Sequence, residues 1–112
     1  MSKSKDYIGE LEELVLLAIL KLGKDAYGVA ISEALEEAGR KIAIGALYTT
    51  LSRLEDKGFI GSWMGEPTSE RGGRAKKYFK VQAAGARVLH EAQEARRKLS
   101  PEFGIAFVGG VI

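Results

Sequence analysis

Cysteine is absent from this chain, and histidine occurs only once, as His90. These absences exclude a disulfide scaffold, a thiolate zinc site and a cysteine nucleophile. A single histidine also excludes a multi-histidine metal site, so we predict no metal and no cofactor. No nucleophile and general base can be paired from the remaining motifs, and we therefore do not expect an enzyme.

Long hydrophobic runs are missing as well. The apolar stretch Leu14–Leu20 is followed by Lys21 and is far too short to span a bilayer. The apolar, glycine-containing tail Phe103–Ile112 is also too short. Residues 1–13 are mostly polar and charged, unlike a signal peptide. The sequence therefore predicts a cytoplasmic protein with no membrane partner.

The net charge is only +2, but the charge is unevenly distributed along the chain. Residues 1–39 contain four lysines and arginines against eight acidic residues, for a net charge of −4. Residues 40–112 contain thirteen against seven, for a net charge of +6. A chain of 112 residues forms one compact unit. The positive charge of residues 40–112 indicates an anionic partner.

Hydrophobic periodicity divides the chain into six elements. A period of three to four residues indicates helices, whereas alternation of apolar and polar residues indicates strands. We expect Asp25 to cap the second helix, and Gly23, Gly39 and Gly58 to end the first three. The predicted helices are Tyr7–Leu22, a segment from Asp25 to Gly39, Ile44–Lys57 and Ala83–Leu99, and the predicted strands are Phe59–Met64 and Lys76–Gln82.

Three helices followed by a hairpin and a last helix have the order of a winged helix-turn-helix. We therefore expect a mainly helical fold with one β-hairpin. In that fold the third helix enters the major groove of DNA, and the hairpin, called the wing, lies against an adjacent groove or the backbone. We assign residues 1–82 to the DNA-binding part and residues 83–112 to a dimerisation helix and tail.

The second half of the wing is strongly basic. Residues 71–80, RGGRAKKYFK, contain five lysines and arginines and no acidic residue. Long cationic side chains suit DNA phosphates, and Gly72 and Gly73 let the backbone approach a phosphate closely. The alternative is a strand edge that lysines protect from aggregation. An alternative function is a winged-helix module whose basic hairpin docks on an acidic protein partner.

The third helix presents a short polar face. On a wheel of 100° per residue, four residues lie roughly opposite its leucines: Gly45, Thr49, Ser52 and Arg53. Hydroxyls suit phosphates and base edges, and arginine is the commonest reader of guanine. Two structural alternatives stay open here. In the first, Tyr48 and Thr50 flank the leucine face as half-buried packing residues. In the second, Arg53 forms an ion pair with a neighbouring carboxylate such as Glu55 or Asp56.

Two aromatic residues each have two interpretations. Tyr27, at the start of the second helix, either places its hydroxyl on a phosphate or packs as a core aromatic residue. Trp63 is the only tryptophan in the chain. It either packs beneath the hairpin or lines a ligand pocket.

The last helix contains a row of small and apolar residues. Gly85, Val88, Ala92, Ala95 and Leu99 follow one another at spacings of three and four. This row either forms a dimer interface or packs the helix back on its own domain. The small number of large apolar residues favours the dimer, with Val88, Ala92, Ala95 and Leu99 at the interface.

Three segments, in this order, resemble the PadR family of transcriptional regulators: ELVLLAILKLGKDAYGVAI, GALYTTLSRLEDKGFI and RGGRAKKYFKVQAAG. Together they span about residues 10–90. The resemblance implies a cytoplasmic homodimeric transcription factor, usually a repressor, with a C-terminal dimerisation helix. Its partner is double-stranded DNA, and a dimer with two-fold symmetry should bind an inverted repeat. The resemblance also leaves room for a small-molecule effector as a further partner, whose identity the sequence does not give.

In that family, the tyrosine matching Tyr27, the helix Gly45–Arg53 and the basic wing meet DNA. The residues predicted to contact DNA are Tyr27, Gly45, Ala46, Tyr48, Thr49, Ser52, Arg53, Arg71, Arg74, Lys76 and Lys77. The sequence departs from the family at Gln82, where a threonine usually caps the last helix, so we expect a weaker cap. Some members bind planar aromatic drugs through an aromatic residue on that helix. None occurs between Ala83 and Leu99, which argues against such a drug sensor.

Overall fold

Four α-helices and a two-stranded antiparallel hairpin form the part of the chain that the computed structural model describes, residues 7–66 and 75–100. In chain order the elements are α1 Glu10–Leu22, a 3-10 turn Gly23–Asp25, α2 Gly28–Glu37, α3 Ile44–Asp56, β1 Ile60–Met64, β2 Lys77–Val81 and α4 Ala83–Leu99. The mainly helical winged helix-turn-helix predicted from the sequence is confirmed. Among these helices, none is long and apolar enough to cross a membrane.

The start of α2 differs from the prediction, and the cap predicted at Asp25 is wrong. Asp25 lies in the 3-10 turn, and α2 begins only at Gly28. The reason is a backbone contact with β2. Phe79 donates its N–H to the carbonyl of Ala26 at 2.8 Å, and Tyr27 pairs with Tyr78 as an isolated β-bridge. This pairing holds Tyr27 in an extended conformation, which a helical residue cannot adopt.

Glycines end α2 and α3 as predicted. Gly39 and Gly58 have φ values of 88° and 79°, in the left-handed region that other residues adopt only with strain. After Gly58 the chain reverses, and the N–H of Phe59 donates to the carbonyl of Leu54 at 3.0 Å. This turn directs Phe59 and Ile60 into the core, where both are buried.

The hairpin has one buried and one exposed face. Its register runs from Ile60 opposite Val81 to Met64 opposite Lys77. Side chains alternate between the two faces of a strand, and Ile60 and Phe79 lie on the face that packs on the helices. Lys80 lies on the opposite face and is exposed.

The core contains apolar side chains of α1, α2 and α3, the residues Phe59, Ile60 and Phe79 of the hairpin segment, and the first half of α4. Val88 and Leu89 of α4 are buried in it. At Gly85 a side chain would collide with the carbonyl oxygen of Phe59, so α4 can approach the hairpin closely. Gln82 precedes α4 without a capping hydrogen bond from its side chain, as its sequence predicted.

Candidate nucleic-acid interface

The exposed side of α3 is the polar face predicted for the third helix. All six residues of this helix that were predicted to contact DNA are exposed: Gly45, Ala46, Tyr48, Thr49, Ser52 and Arg53. Thr50 is buried and donates its hydroxyl to the carbonyl of Ala46 at 2.9 Å, which is the packing role left open above. Within the described residues Arg53 forms no salt bridge, and the alternative of an ion pair with Glu55 or Asp56 is not observed there.

Tyr48 connects the exposed face of α3 to the start of α2. Its hydroxyl and ring lie against Gly28, in the space that a side chain at that position would fill. Gly28 is buried, whereas Tyr48 remains 47% exposed. Gly28 was missed by sequence reasoning, because nothing in the local pattern shows which side chain from another helix lies against a glycine.

Tyr27 attaches the wing to the same place. Its ring packs edge-on against Tyr78 of β2, with centroids 5.6 Å apart and planes at 72°. The ammonium of Lys76 lies 4.1 Å from the centroid of the Tyr27 ring, within the range of a cation–π interaction. Tyr27 is half-buried, so its ring packs on the wing while the residue keeps part of its surface in solvent.

These contacts surround a concavity of about 270 Å³ between α2, α3 and the wing. Its lining residues are Tyr27, Gly28, Val29, Tyr48, Ala75, Lys76 and Lys77. The structure thus brings together four residues predicted from different parts of the sequence. Ammonium groups and aromatic rings beside an exposed helix can meet a phosphate backbone. No cluster of metal-binding side chains occurs among residues 7–66 and 75–100.

The two lysines of the concavity are not equivalent. Lys77 lies 3.7 Å from Glu55 Oε1, and Glu55 also accepts a hydrogen bond of 2.5 Å from Ser62. Lys76 instead lies over the Tyr27 ring and forms no salt bridge within the described part of the chain. Sequence reasoning missed this difference, because Glu55 and Lys77 lie on elements whose relative position no local pattern specifies.

Two of the predicted wing contacts, Arg71 and Arg74, lie outside the described residues. Trp63 stacks on Tyr78 with centroids 5.6 Å apart and planes at 20°. It is still 42% exposed. Trp63 therefore packs on the hairpin, and because it also lines a surface concavity with Leu20 and Lys80, the ligand-pocket alternative stays a prediction.

The residues predicted for the dimer interface occupy different environments on α4. Val88 is buried against its own chain, so it is a core residue and is not available to a second copy. Ala92 is half-buried, Ala95 is exposed and Leu99 is 84% exposed. The first half of the row thus packs α4 on its own domain, because Gly85 lets the helix approach the hairpin. Its second half leaves this domain and stays in solvent.

Comparison with known proteins matches this chain to one family of transcriptional regulators. The transcriptional regulator PadR-like family matches residues 16–91. A PadR family transcriptional regulator from Eggerthella lenta is 30% identical, with 88% of this chain and 86% of that chain covered and a TM-score of 0.64. A PadR-like transcription factor from Bacteroides fragilis is 25% identical, with 91% and 89% covered and a TM-score of 0.64.

A PadR family regulator from Clostridium difficile has the same fold, at 22% identity, with 87% of this chain and 97% of that chain covered and a TM-score of 0.64. No curated protein sequence matches the chain. The family match begins at Leu16 in α1 and ends at Glu91 in α4, so it contains α2, α3 and the wing. It confirms the resemblance of the three sequence segments. The chain belongs to the PadR-like family of transcriptional regulators, which regulate transcription by binding DNA.

Proposed function

We propose that this regulator is a cytoplasmic repressor that binds an inverted-repeat operator as a homodimer. The main supporting observation is the exposed polar face of α3 beside a concavity that contains Tyr27, Tyr48 and Lys76. Residues 1–82 form the DNA-binding part in this proposal. Residues 83–112 provide the dimerisation helix and tail, of which 101–112 lie outside the described residues.

The α3 face supplies base recognition. Glycine and alanine at its start permit close approach to a groove, and Thr49 and Ser52 offer hydroxyls. Arg53 is exposed and is the one cation on this face of α3. A guanidinium can form two hydrogen bonds to the major-groove edge of guanine. We therefore assign a base contact to Arg53.

The wing and the two tyrosines supply phosphate contacts. Lys76 is exposed beside Tyr27, and the exposed ring of Tyr48 lies across the same concavity. Arg71 and Arg74 add two further cations next to Gly72 and Gly73 in the sequence. Phosphate spacing is nearly independent of base sequence, so these contacts raise affinity without selecting an operator.

The exposed half of α4 supplies the dimer contact. Leu99 is a large apolar side chain in solvent, and Ala95 on the preceding turn allows close approach of a second helix. A two-fold axis through this region relates two recognition helices, whose half-sites should be about 10 base pairs apart, centre to centre. Val88 has no part in this contact.

The proposal is tested by footprinting the protein on DNA upstream of its own gene. We expect two protected half-sites about one helical turn apart. Transcription in vitro from the same fragment should fall when the protein is added, as a repressor requires. A gel shift with duplexes of increasing length and at increasing salt tests the alternative of an acidic protein partner. Binding that depended on neither duplex length nor salt would contradict DNA recognition.

A further inference from the structure

Two adjacent carboxylates on α1 are buried, although glutamate is almost never buried without a partner. Glu12 is 8% exposed and Glu13 is 7% exposed. Consecutive residues of a helix point about 100° apart, so the two side chains leave α1 in different directions. Each of them reaches a different helix.

Glu12 connects α1 to the recognition helix. Its Oε2 accepts a hydrogen bond of 3.1 Å from the ammonium of Lys57, the C-cap residue that directly follows α3. Its Oε1 accepts the N–H of Gly9 at 3.0 Å, which fixes the carboxylate at the start of its own helix. A cation at the C-terminus of α3 also complements the partial negative charge of that helix end.

Glu13 connects α1 to α4. Arg96 donates from Nε to both carboxylate oxygens at 3.2 Å and from Nη2 to Oε1 at 2.8 Å. The planar guanidinium fork makes such a pair directional as well as attractive. Among the described residues, no other salt bridge or side-chain hydrogen bond joins the last two turns of α4 to another element. Within the described residues, this pair is therefore the polar contact that holds the exposed half of α4 against α1.

We propose that Glu12 and Glu13 make α1 a rigid spacer between the recognition helix and α4, and that Arg96 is a positioning residue that sets the operator spacing. This inference rests on the proposed homodimer and inverted repeat. In such a dimer, a change in the angle of α4 moves the two copies of α3 relative to each other. One base pair inserted between half-sites moves one of them by about 3.4 Å and rotates it by about 35°. If the angle of α4 is fixed, the dimer binds operators with one spacing between half-sites. If that angle varies, the dimer binds operators with several spacings.

The test measures dissociation constants for a series of duplexes that share the same half-sites and differ by single base pairs between them. The variants are Arg96→Gln and Glu13→Gln, and Glu13→Gln also removes the buried charge. Arg97→Gln is the matched control, because its partner Glu94 lies on α4 itself, 2.8 Å away. Arg96→Lys keeps the positive charge but loses the planar fork.

For the wild type we expect one best spacing and a penalty of about tenfold for one added or removed base pair. Arg96→Gln and Glu13→Gln should reduce that penalty to about twofold while the best duplex is still bound by a dimer. Arg96→Lys should give an intermediate penalty, and Arg97→Gln should leave the profile unchanged.

An unchanged spacing profile in Arg96→Gln and Glu13→Gln would overturn the inference while leaving the proposed function intact. Dissociation of these variants into monomers would also overturn it, because the pair would then support assembly rather than spacing. Failure of the wild type to bind any inverted repeat would instead contradict the proposed function.

Discussion

Substitution of Lys76 by glutamine should reduce the salt dependence of DNA binding more than substitution of Lys77. Lys76 is exposed beside the recognition helix and lies over the Tyr27 ring, so its charge is available to a phosphate. Lys77 lies 3.7 Å from Glu55, which already offsets part of its charge. The two lysines are adjacent in the sequence but differ in electrostatic environment.

The expected size follows from counterion release. Each phosphate contact adds about 0.9 to the slope of log affinity against log salt concentration, so a dimer that loses both copies of Lys76 loses about 1.8. Between 50 and 200 mM salt, the affinity of the variant for DNA should therefore fall by a factor about twelvefold smaller than the affinity of the wild type. The double variant of Lys76 and Lys77 would lose about 3.6 if all four lysines touched phosphate. Because Glu55 competes for Lys77, we expect a value below that.

The assay is a salt titration by fluorescence anisotropy on an operator duplex and on a random duplex of equal length. Lys76→Gln should weaken both by similar factors, because phosphates carry no sequence information. Glu55→Gln should steepen the slope by releasing Lys77. Lys21→Gln, on an exposed position of α1, is the control and should leave the slope unchanged. An unchanged slope in Lys76→Gln would refute the assignment, and a loss limited to the operator would mean that the wing contacts bases.

Three further predictions concern other parts of the molecule. Leu99→Asp should give a folded monomer in sedimentation, since like charges across the two-fold axis cost about 3 kcal/mol or more; a dimer at micromolar concentration would contradict this. Gly28→Ala should displace Tyr48 and weaken DNA binding by about 1 kcal/mol with little change in melting temperature; unchanged affinity would mean that the Tyr48 position is irrelevant. Hydrogen bonds and charge from Arg97 lower the pKa of Glu94, so the stability that this pair contributes is present above the ordinary glutamate pKa and is lost as pH falls through the lowered value. Arg97→Gln should therefore raise the titration midpoint of Glu94 measured by NMR. An unmoved midpoint would show that the pair does not form in solution.

The elements were predictable because their signals are local. The periods of the apolar residues gave α3 and α4 nearly to the residue, and Gly39 and Gly58 marked helix ends with the left-handed backbone that they adopt. The polar face of α3 follows from the same period, since the leucines must face the core.

Features that depend on contacts between distant segments were not predictable in this way. Asp25 has the side chain of a helix cap, yet pairing of Tyr27 with β2 delays the helix. The spacing of Val88 on α4 fits a dimer interface and a core position equally well. Only the close approach of α4 to the hairpin decides between the two roles. Arg96, the partner of Glu13, lies 83 residues away in the sequence. Sequence periodicity does not predict contacts between residues so far apart.

The most direct test of the account is selection of preferred sequences from a randomised duplex pool by the wild type and by Arg53→Ala. The account predicts an inverted repeat with half-sites about 10 base pairs apart for the wild type. Arg53→Ala should lose preference at one position in each half-site, at a cost of about 1–3 kcal/mol there. Recovery of the same consensus with both proteins would show that Arg53 reads no base. Recovery of no consensus from the wild type would contradict operator recognition by α3.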